Sequence, residues 1–312
     1  SGVATRPIAD LEAYAEKLTE FVYKTSLFMR PVFNQARKDI KRIVLTEGED
    51  ERVLHAAQQV VSQKLAFPIL VGDAKLIEER LHSQGLTIQP GKDFELVDIK
   101  NSPYYEASWK EYYNLRKRKG VTEEMARRRL KANSTLVGAL LVRLGHADCL
   151  VCGTMGRFHD HFAVMEEVIG YNNPEKEAFA MNALISNKGN FFIADTYINE
   201  NPTAEQLAKG TLMCAAEMKR FGLKPKVALV SNTNYGSNRN PDANKMQQAL
   251  ELIRELDPAL EIDGEMQADV ALDETMRKSI FPETTLSGAA NLLVMPNVEA
   301  ANISYNLLRV NA

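Results

Sequence analysis

Cysteine is scarce, with three residues in a chain of 312. An odd and sparse count excludes a disulfide scaffold and fits a reducing cytoplasm. Excess charge is missing as well. Lys and Arg number 38 and Asp and Glu 41, a net of −3, so the chain has no global electrostatic footprint for nucleic acid or an anionic membrane. Uncharged apolar runs stay far below the roughly 18 residues of a membrane span; the longest, such as Leu136 to Val142, are sized for a core. The opening residues Ser1-Gly2-Val3-Ala4-Thr5-Arg6-Pro7 hold no apolar stretch of the secretory kind. Neither a G-x-G-x-x-G nor a Walker A sequence occurs, so nicotinamide and nucleoside triphosphate binding are unsupported. No internal repeat or low-complexity tract is present.

What remains is an average globular composition, 45% hydrophobic and 25% charged, at a length that suggests about two domains. Leu11, Tyr14, Ala15, Leu18, Phe21 and Val22 recur at helical spacing and predict a helix over Asp10 to Lys24. Asp10 is its candidate N-cap, and Pro31 marks a break beyond it. From Lys41 onward, short apolar runs alternate with amphipathic segments. Strands are expected at Arg42–Leu45, Phe67–Val71, Phe94–Val97, a buried Cys149–Cys152, Asn190–Asp195, Val227–Val230 and Leu292–Met295. Helices follow them, with Thr122 and Ser134 as caps and Thr203 with Gln206 at capping-box spacing. Strand–helix alternation implies a mostly parallel α/β architecture. Gly170, Asn172, Asn173 and Pro174 cluster at a candidate domain boundary.

In such sheets, ligands bind beyond the carboxyl ends of the strands. Three loops qualify: Thr46 to Asp50, Gly153 to His159, and Ser231 to Ser237. Their glycines and small polar residues suit either a phosphate or ordinary turn and capping chemistry. Candidate ligand residues are Gly153, Thr154 and Arg157 in one loop, and Ser231, Asn232, Thr233, Asn234, Gly236 and Ser237 in another. The acids Glu47, Glu49, Asp50 and Glu51 read as favourable charges at a helix start rather than a metal site. Cys149 and Cys152 have C-x-x-C spacing, but strand residues three apart face opposite ways, so zinc with His159 and His161 is disfavoured. The basic runs Arg116 to Lys119 and Arg127 to Arg129 read as solvated helix faces.

Several blocks, in order, resemble the phosphotransacetylase family. They are Glu47-Gly48-Glu49-Asp50-Glu51-Arg52-Val53-Leu54, Ala147 to Gly153, Ala194-Asp195-Thr196 with Pro202 to Ala208, Val227 to Ser231, and Ala290 to Asn297. Ser1 to Ile8, Gly153 to Phe162 and Ile303 to Arg309 are more similar to the hybrid branch, in which a phosphotransacetylase-like part is joined to a bacterial NADP-dependent malic enzyme. On that resemblance the chain, which lacks an initial Met and ends just after a helix-like stretch, is read as a piece of something longer.

The resemblance implies two α/β domains with mostly parallel sheets flanking a cleft, isocitrate-dehydrogenase-like, preceded by a connector helix. Residues 1–38 would be linker and connector, 39–168 a first domain lacking its last part, and 169–312 a second, dimerising domain. It implies coenzyme A bound in the cleft, with Arg116 matching one phosphate-facing Arg. A second family Arg aligns with Ala163, and a Ser-Arg pair and Asp base fall beyond the chain, so no catalytic residue is assigned. The implied function is acetyl-CoA sensing that inhibits oxidative decarboxylation of malate, with no cofactor in this part and NADP and a divalent metal confined to the malic-enzyme part. A homo-oligomer of at least two copies is expected, with no nucleic acid or membrane partner. The alternatives are an active phosphate acetyltransferase and a dimerisation domain without ligand.

Overall fold

A computed structural model describes residues 26–98, 101–174, 176–186, 189–238 and 240–311. The helix expected over Asp10 to Lys24 lies outside these residues. The chain divides into two compact units at Lys176/Glu177, one of them Pro31–Lys176.

Helix α1 spans Ser26–Lys38 and contains Pro31. The expected break at this proline is therefore a single lost helical hydrogen bond. Arg37 Nε donates to the Gln63 carbonyl at 3.1 Å. The first unit then runs β1 (Lys41–Leu45), α2 (Glu51–Ser62), β2 (Ala66–Gly72), α3 (Ala74–Ser83), β3 (Glu95–Asp98), α4 (Tyr105–Arg116), α5 (Glu123–Ala132), α6 (Ser134–Arg143), β4 (Cys149–Val151) and α7 (Phe158–Val168). All its pairings are parallel, in the order β3-β2-β1-β4. Successive residues of β2 serve opposite faces. Leu70 packs with Val53, Leu54, Ile77 and Phe94 under α2 and α3. Ile69 and Val71 pack with Trp109, Tyr112, Leu130, Leu136 and Leu140 under the helices from α4 on.

Two local expectations change here. The strand at Cys149–Val151 is not buried: Val151 is 54% exposed and Cys149 is exposed too. The strand is three residues long and, among the described residues, pairs with β1 on one side alone. Ser134 does not cap α6. Asn133 does, its side chain accepting from the Leu136 N–H, because Asn133 is extended while Ser134 is already helical.

The second unit contains β5 (Met181–Ser186), β6 (Gly189–Ala194), α8 (Ala204–Arg220), β7 (Lys226–Val230), α9 (Pro241–Leu256), β8 (Glu261–Met266), α10 (Ala268–Leu272), α11 (Glu274–Ile280), β9 (Leu292–Val294) and α12 (Val298–Asn311). Its sheet has the order β5-β6-β9-β7-β8, parallel apart from the β5–β6 hairpin. Leu229, Leu292 and Val294 pack against α8 and α9. Ala228, Val230 and Leu293 pack on the other face with Val270 and Ala301. Thr203 and Gln206 form the expected reciprocal capping box. Among the described residues, no helix is long and apolar enough to cross a membrane.

Candidate functional site

Strand order fixes where the first unit can hold a ligand. From β1 the chain moves to β2 and β3 on one side, then returns for β4 on the other. Loops leaving the carboxyl ends of β1 and β4 therefore diverge, and a crevice opens at this switch point. A groove of about 950 Å³ lies there. It is lined by Thr46 to Arg52 after β1, Val71 and Gly72 at the end of β2, Lys131 to Thr135 between α5 and α6, and Met155, Gly156, Asp160 and His161 beyond β4. The starts of α2, α6 and α7 all border it, each with a positive dipole end. A second hollow of about 470 Å³ shares Glu49 and Lys131 with it.

The acidic run after β1 joins loops together. Asp50 caps α2 through the Arg52 N–H and forms a two-point pair with the Arg52 guanidinium. Those hydrogen bonds hold the Asp50 carboxyl at about 2. Glu49 accepts from the Asp73 N–H at 2.7 Å. Glu47 accepts from the Gly153 N–H at 3.1 Å, while its Oε2 is buried with no partner among the described residues. Arg52 also donates to the Thr154 carbonyl at 3.2 Å. The helix-start reading thus holds for Asp50, whereas Glu47 and Glu49 tether the neighbouring strand ends.

His161 pins the far wall. Its Nε2 lies 2.7 Å from the Met155 carbonyl, and its Nδ1 lies 2.8 Å from the hydroxyl of buried Thr135. A carbonyl only accepts, so Nε2 carries a proton and donates to Met155, while Nδ1 and the Thr135 hydroxyl share the second hydrogen bond. A Cβ on Gly156, where φ is +90°, would stand 3.0 Å from His161 Nε2. In the sequence, His161 stands out only as a metal-ligand candidate beside Cys149 and Cys152. Its role here was hidden because Thr135 is 26 residues away in sequence.

The predicted ligand residues do not converge as expected. Gly153 faces Glu47, Thr154 contributes its carbonyl to Arg52, and Arg157 is exposed and paired at two points with Asp160. None of the three lines the groove, although Met155 and Gly156 between them do. Arg116 ends α4 and donates to Glu167 Oε1 at 3.3 Å. Arg129 is 2.9 Å from Glu167 Oε2, and the Tyr112 hydroxyl donates to the same oxygen at 3.1 Å. Against the expectation of a solvated helix face, Arg116 is 19% exposed and shares the Glu167 carboxylate with Arg129.

The loop after β7 in the second unit is likewise occupied by its own protein. Thr233 Oγ1 and the Gly236 N–H each donate to Glu265 Oε1 at 2.9 Å, and Gln247 donates to Oε2 at 2.8 Å. Glu265 is fully buried. Asn234 exchanges hydrogen bonds with Gln267, and Ser237 Oγ accepts from the Asn234 N–H. Ser231 Oγ lies 3.4 Å from both Asn232 Oδ1 and Thr233 Oγ1. Thr233 and Gly236, donors suited to a phosphate, are instead held by a carboxylate from β8, a strand whose alternating acids hide it in the sequence.

Neither Cys149 nor Cys152 has an activated thiol. Partial desolvation of the sulfurs raises both, with help from Asp148 at Cys149 and from Glu47 at Cys152, which is brought to about 11. Among the described residues, no cluster of three or more His, Cys, Asp or Glu side chains is placed to hold a metal.

The family model for Phosphate acetyl/butaryl transferase matches residues 27–312. The chain belongs to this family. It is 54% identical over 312 residues to an NADP-dependent malic enzyme of Escherichia coli, covering 100% of this chain and 41% of that protein. The chain thus spans about two fifths of the malic enzymes it matches and corresponds to their phosphotransacetylase-like part. A phosphate acetyltransferase of Corynebacterium glutamicum is 32% identical over 284 residues, covering 89% of this chain and 84% of the relative. The structure of the EutD phosphotransacetylase from Staphylococcus aureus superposes with a TM-score of 0.78 at 30% identity, covering 91% of this chain and 87% of that one.

Proposed function

We propose that this phosphotransacetylase-like chain is the regulatory part of an NADP-dependent malic enzyme, binding acetyl-CoA as an inhibitor without transferring its acetyl group. The parent protein would oxidatively decarboxylate malate to pyruvate, with NADP and a divalent metal held outside this chain. The observation that carries the reading is the ion pair that holds Arg116 on Glu167 at 3.3 Å. Acetyl transfer to phosphate requires cationic groups aimed at the developing charge, and losing one such contact slows a reaction by about 10²–10³-fold. Here the candidate arginine is already ion-paired, and Ala163 supplies only a methyl group. Binding makes smaller demands. The groove has room for an elongated ligand, and its three helix starts with Arg52, Arg80 and Lys131 offer donors beside the five carboxylates that also line it.

Family membership favours a second reading, an active phosphate acetyltransferase converting acetyl-CoA and phosphate to acetyl phosphate and coenzyme A. Two assays separate them. Calorimetric titration of the chain with acetyl-CoA should give saturable heat, and coenzyme A with acetyl phosphate should give no turnover above background. In the intact malic enzyme, acetyl-CoA should lower malate-dependent NADPH formation. Rapid consumption of acetyl phosphate would establish the second reading, and absence of both heat and turnover would leave a dimerisation role. The reading also assigns the protein to a reducing cytoplasm, which the three free thiols support, and to a homo-oligomer.

A further inference from the structure

We propose that Glu47 Oε2 is the acceptor by which the groove recognises an uncharged N–H donor of its ligand. The inference rests on the reading of that ligand as acetyl-CoA and deepens it. Glu47 follows the carboxyl end of β1 and lines the groove. Its Oε1 accepts from the Gly153 N–H, whereas Oε2 is buried with no partner among the described residues. A carboxylate oxygen only accepts, and one shut away from water without a donor is unfavourable. The loop has no slack with which to relieve it. The Gly48 N–H donates to the Val71 carbonyl at 3.0 Å, and a Cβ on Gly48 would stand 2.9 Å from that oxygen. The Gly153 N–H holds the carboxylate itself.

Cations and hydroxyls on the same wall are directed elsewhere. Arg52 is spent on Asp50 and the Thr154 carbonyl, and Arg80 donates to the Glu49 carbonyl. The Thr46 hydroxyl donates to the Val151 carbonyl at 3.4 Å, and the Thr135 hydroxyl is hydrogen-bonded with His161 at 2.8 Å. The missing donor therefore comes from an occupant of the groove. The phosphates of acetyl-CoA bring negative charge to a negative oxygen, so they lie away from Glu47. Its uncharged N–H groups fit. These are the secondary amides of the pantetheine arm and the exocyclic amine of the adenine. Either gives a hydrogen bond to an ionised acceptor, which is stronger than one between neutral groups. Glu47 thus orients the ligand by a neutral part of it.

The test is calorimetric titration of the chain and of Glu47→Gln with acetyl-CoA, with pantetheine and with adenosine 3′,5′-bisphosphate. Gln keeps an oxygen for the Gly153 N–H and puts an amide NH2 where Oε2 stood, so donor meets donor. The expected result is acetyl-CoA binding about tenfold weaker in Glu47→Gln. The loss should fall on one half of the ligand, on pantetheine where an amide is the donor and on the bisphosphate where the adenine amine is. Melting of unliganded Glu47→Gln should equal or exceed that of the parent, because a buried unpaired charge is gone. Equal acetyl-CoA affinity in the two proteins would overturn the proposal, as would a loss shared evenly by both halves. Lowered melting of Glu47→Gln would overturn it too, showing the carboxylate to serve the fold. Failure of the effector reading shows separately, as no acetyl-CoA heat in the parent. The proposal then stands if a fragment still binds the parent and loses affinity in Glu47→Gln, and falls if neither does.

Discussion

At the scale of single residues, side chains that look reactive in the sequence are mostly engaged within the protein. Cys214 is buried and its thiol is pushed to about 12 by desolvation, with Asp195 and Glu217 adding to the rise. Alkylation at neutral pH should leave Cys214 unmodified until denaturant is added, and mass spectrometry of the labelled peptides checks this. Asp50 and Glu261 set the acid limit. Arg52 holds Asp50 at about 2. Burial pushes Glu261 up, but Lys224 and the Ser287 hydroxyl and N–H outweigh it and bring it to about 2. Both carboxyls bind protons less readily folded than unfolded. Their stabilisation is complete above the ordinary carboxylate range near pH 4 and is lost as pH falls towards 2. Melting temperature should drop across that window, and Glu261→Gln should flatten part of the drop. His161→Ala should free the Met155 and Thr135 contacts and weaken acetyl-CoA binding about tenfold, or ~1.4 kcal/mol, measured by calorimetry.

Secondary-structure elements were largely legible in the sequence where period and caps agree. The strands β1, β2 and β7 are apolar runs flanked by turn residues, and the Thr203–Gln206 capping box is visible from spacing alone. Thr203→Ala should destabilise by about 1 kcal/mol, read from denaturant unfolding. β8 was illegible for a physical reason. Glu261, Asp263 and Glu265 make it look like a polar loop, yet Asp263 and Glu265 are buried. Each carboxylate is matched by donors distant in sequence, Thr284 and Thr285 for Asp263 and Thr233, Gly236 and Gln247 for Glu265. Pattern reading assigns charged residues to solvent, and only the fold supplies these partners. The same holds for Arg116, whose partner Glu167 lies 51 residues on. Close approach was hidden as well. A Cβ on Gly138 of α6 would meet Thr46 Cγ2 at 2.5 Å. Gly138→Ala should cost about 1–3 kcal/mol through overpacking at the groove floor, again read from unfolding.

For the molecule as a whole, the family was visible from ordered sequence blocks, and the structure agrees with it in both sheets. The groove's position follows from strand order, which puts the switch point beside β1 and β4. The candidate phosphate ligands proved less legible, because donor groups in both units are held by the chain's own carboxylates. The proposed function is that the chain holds an acylated cofactor without reacting with it. The most direct measurement is equilibrium dialysis of the chain with acetyl-labelled acetyl-CoA in the presence of inorganic phosphate. The account predicts that label is retained by the protein and recovered as intact acetyl-CoA. Label that stays unbound, or that leaves as acetyl phosphate, would contradict it.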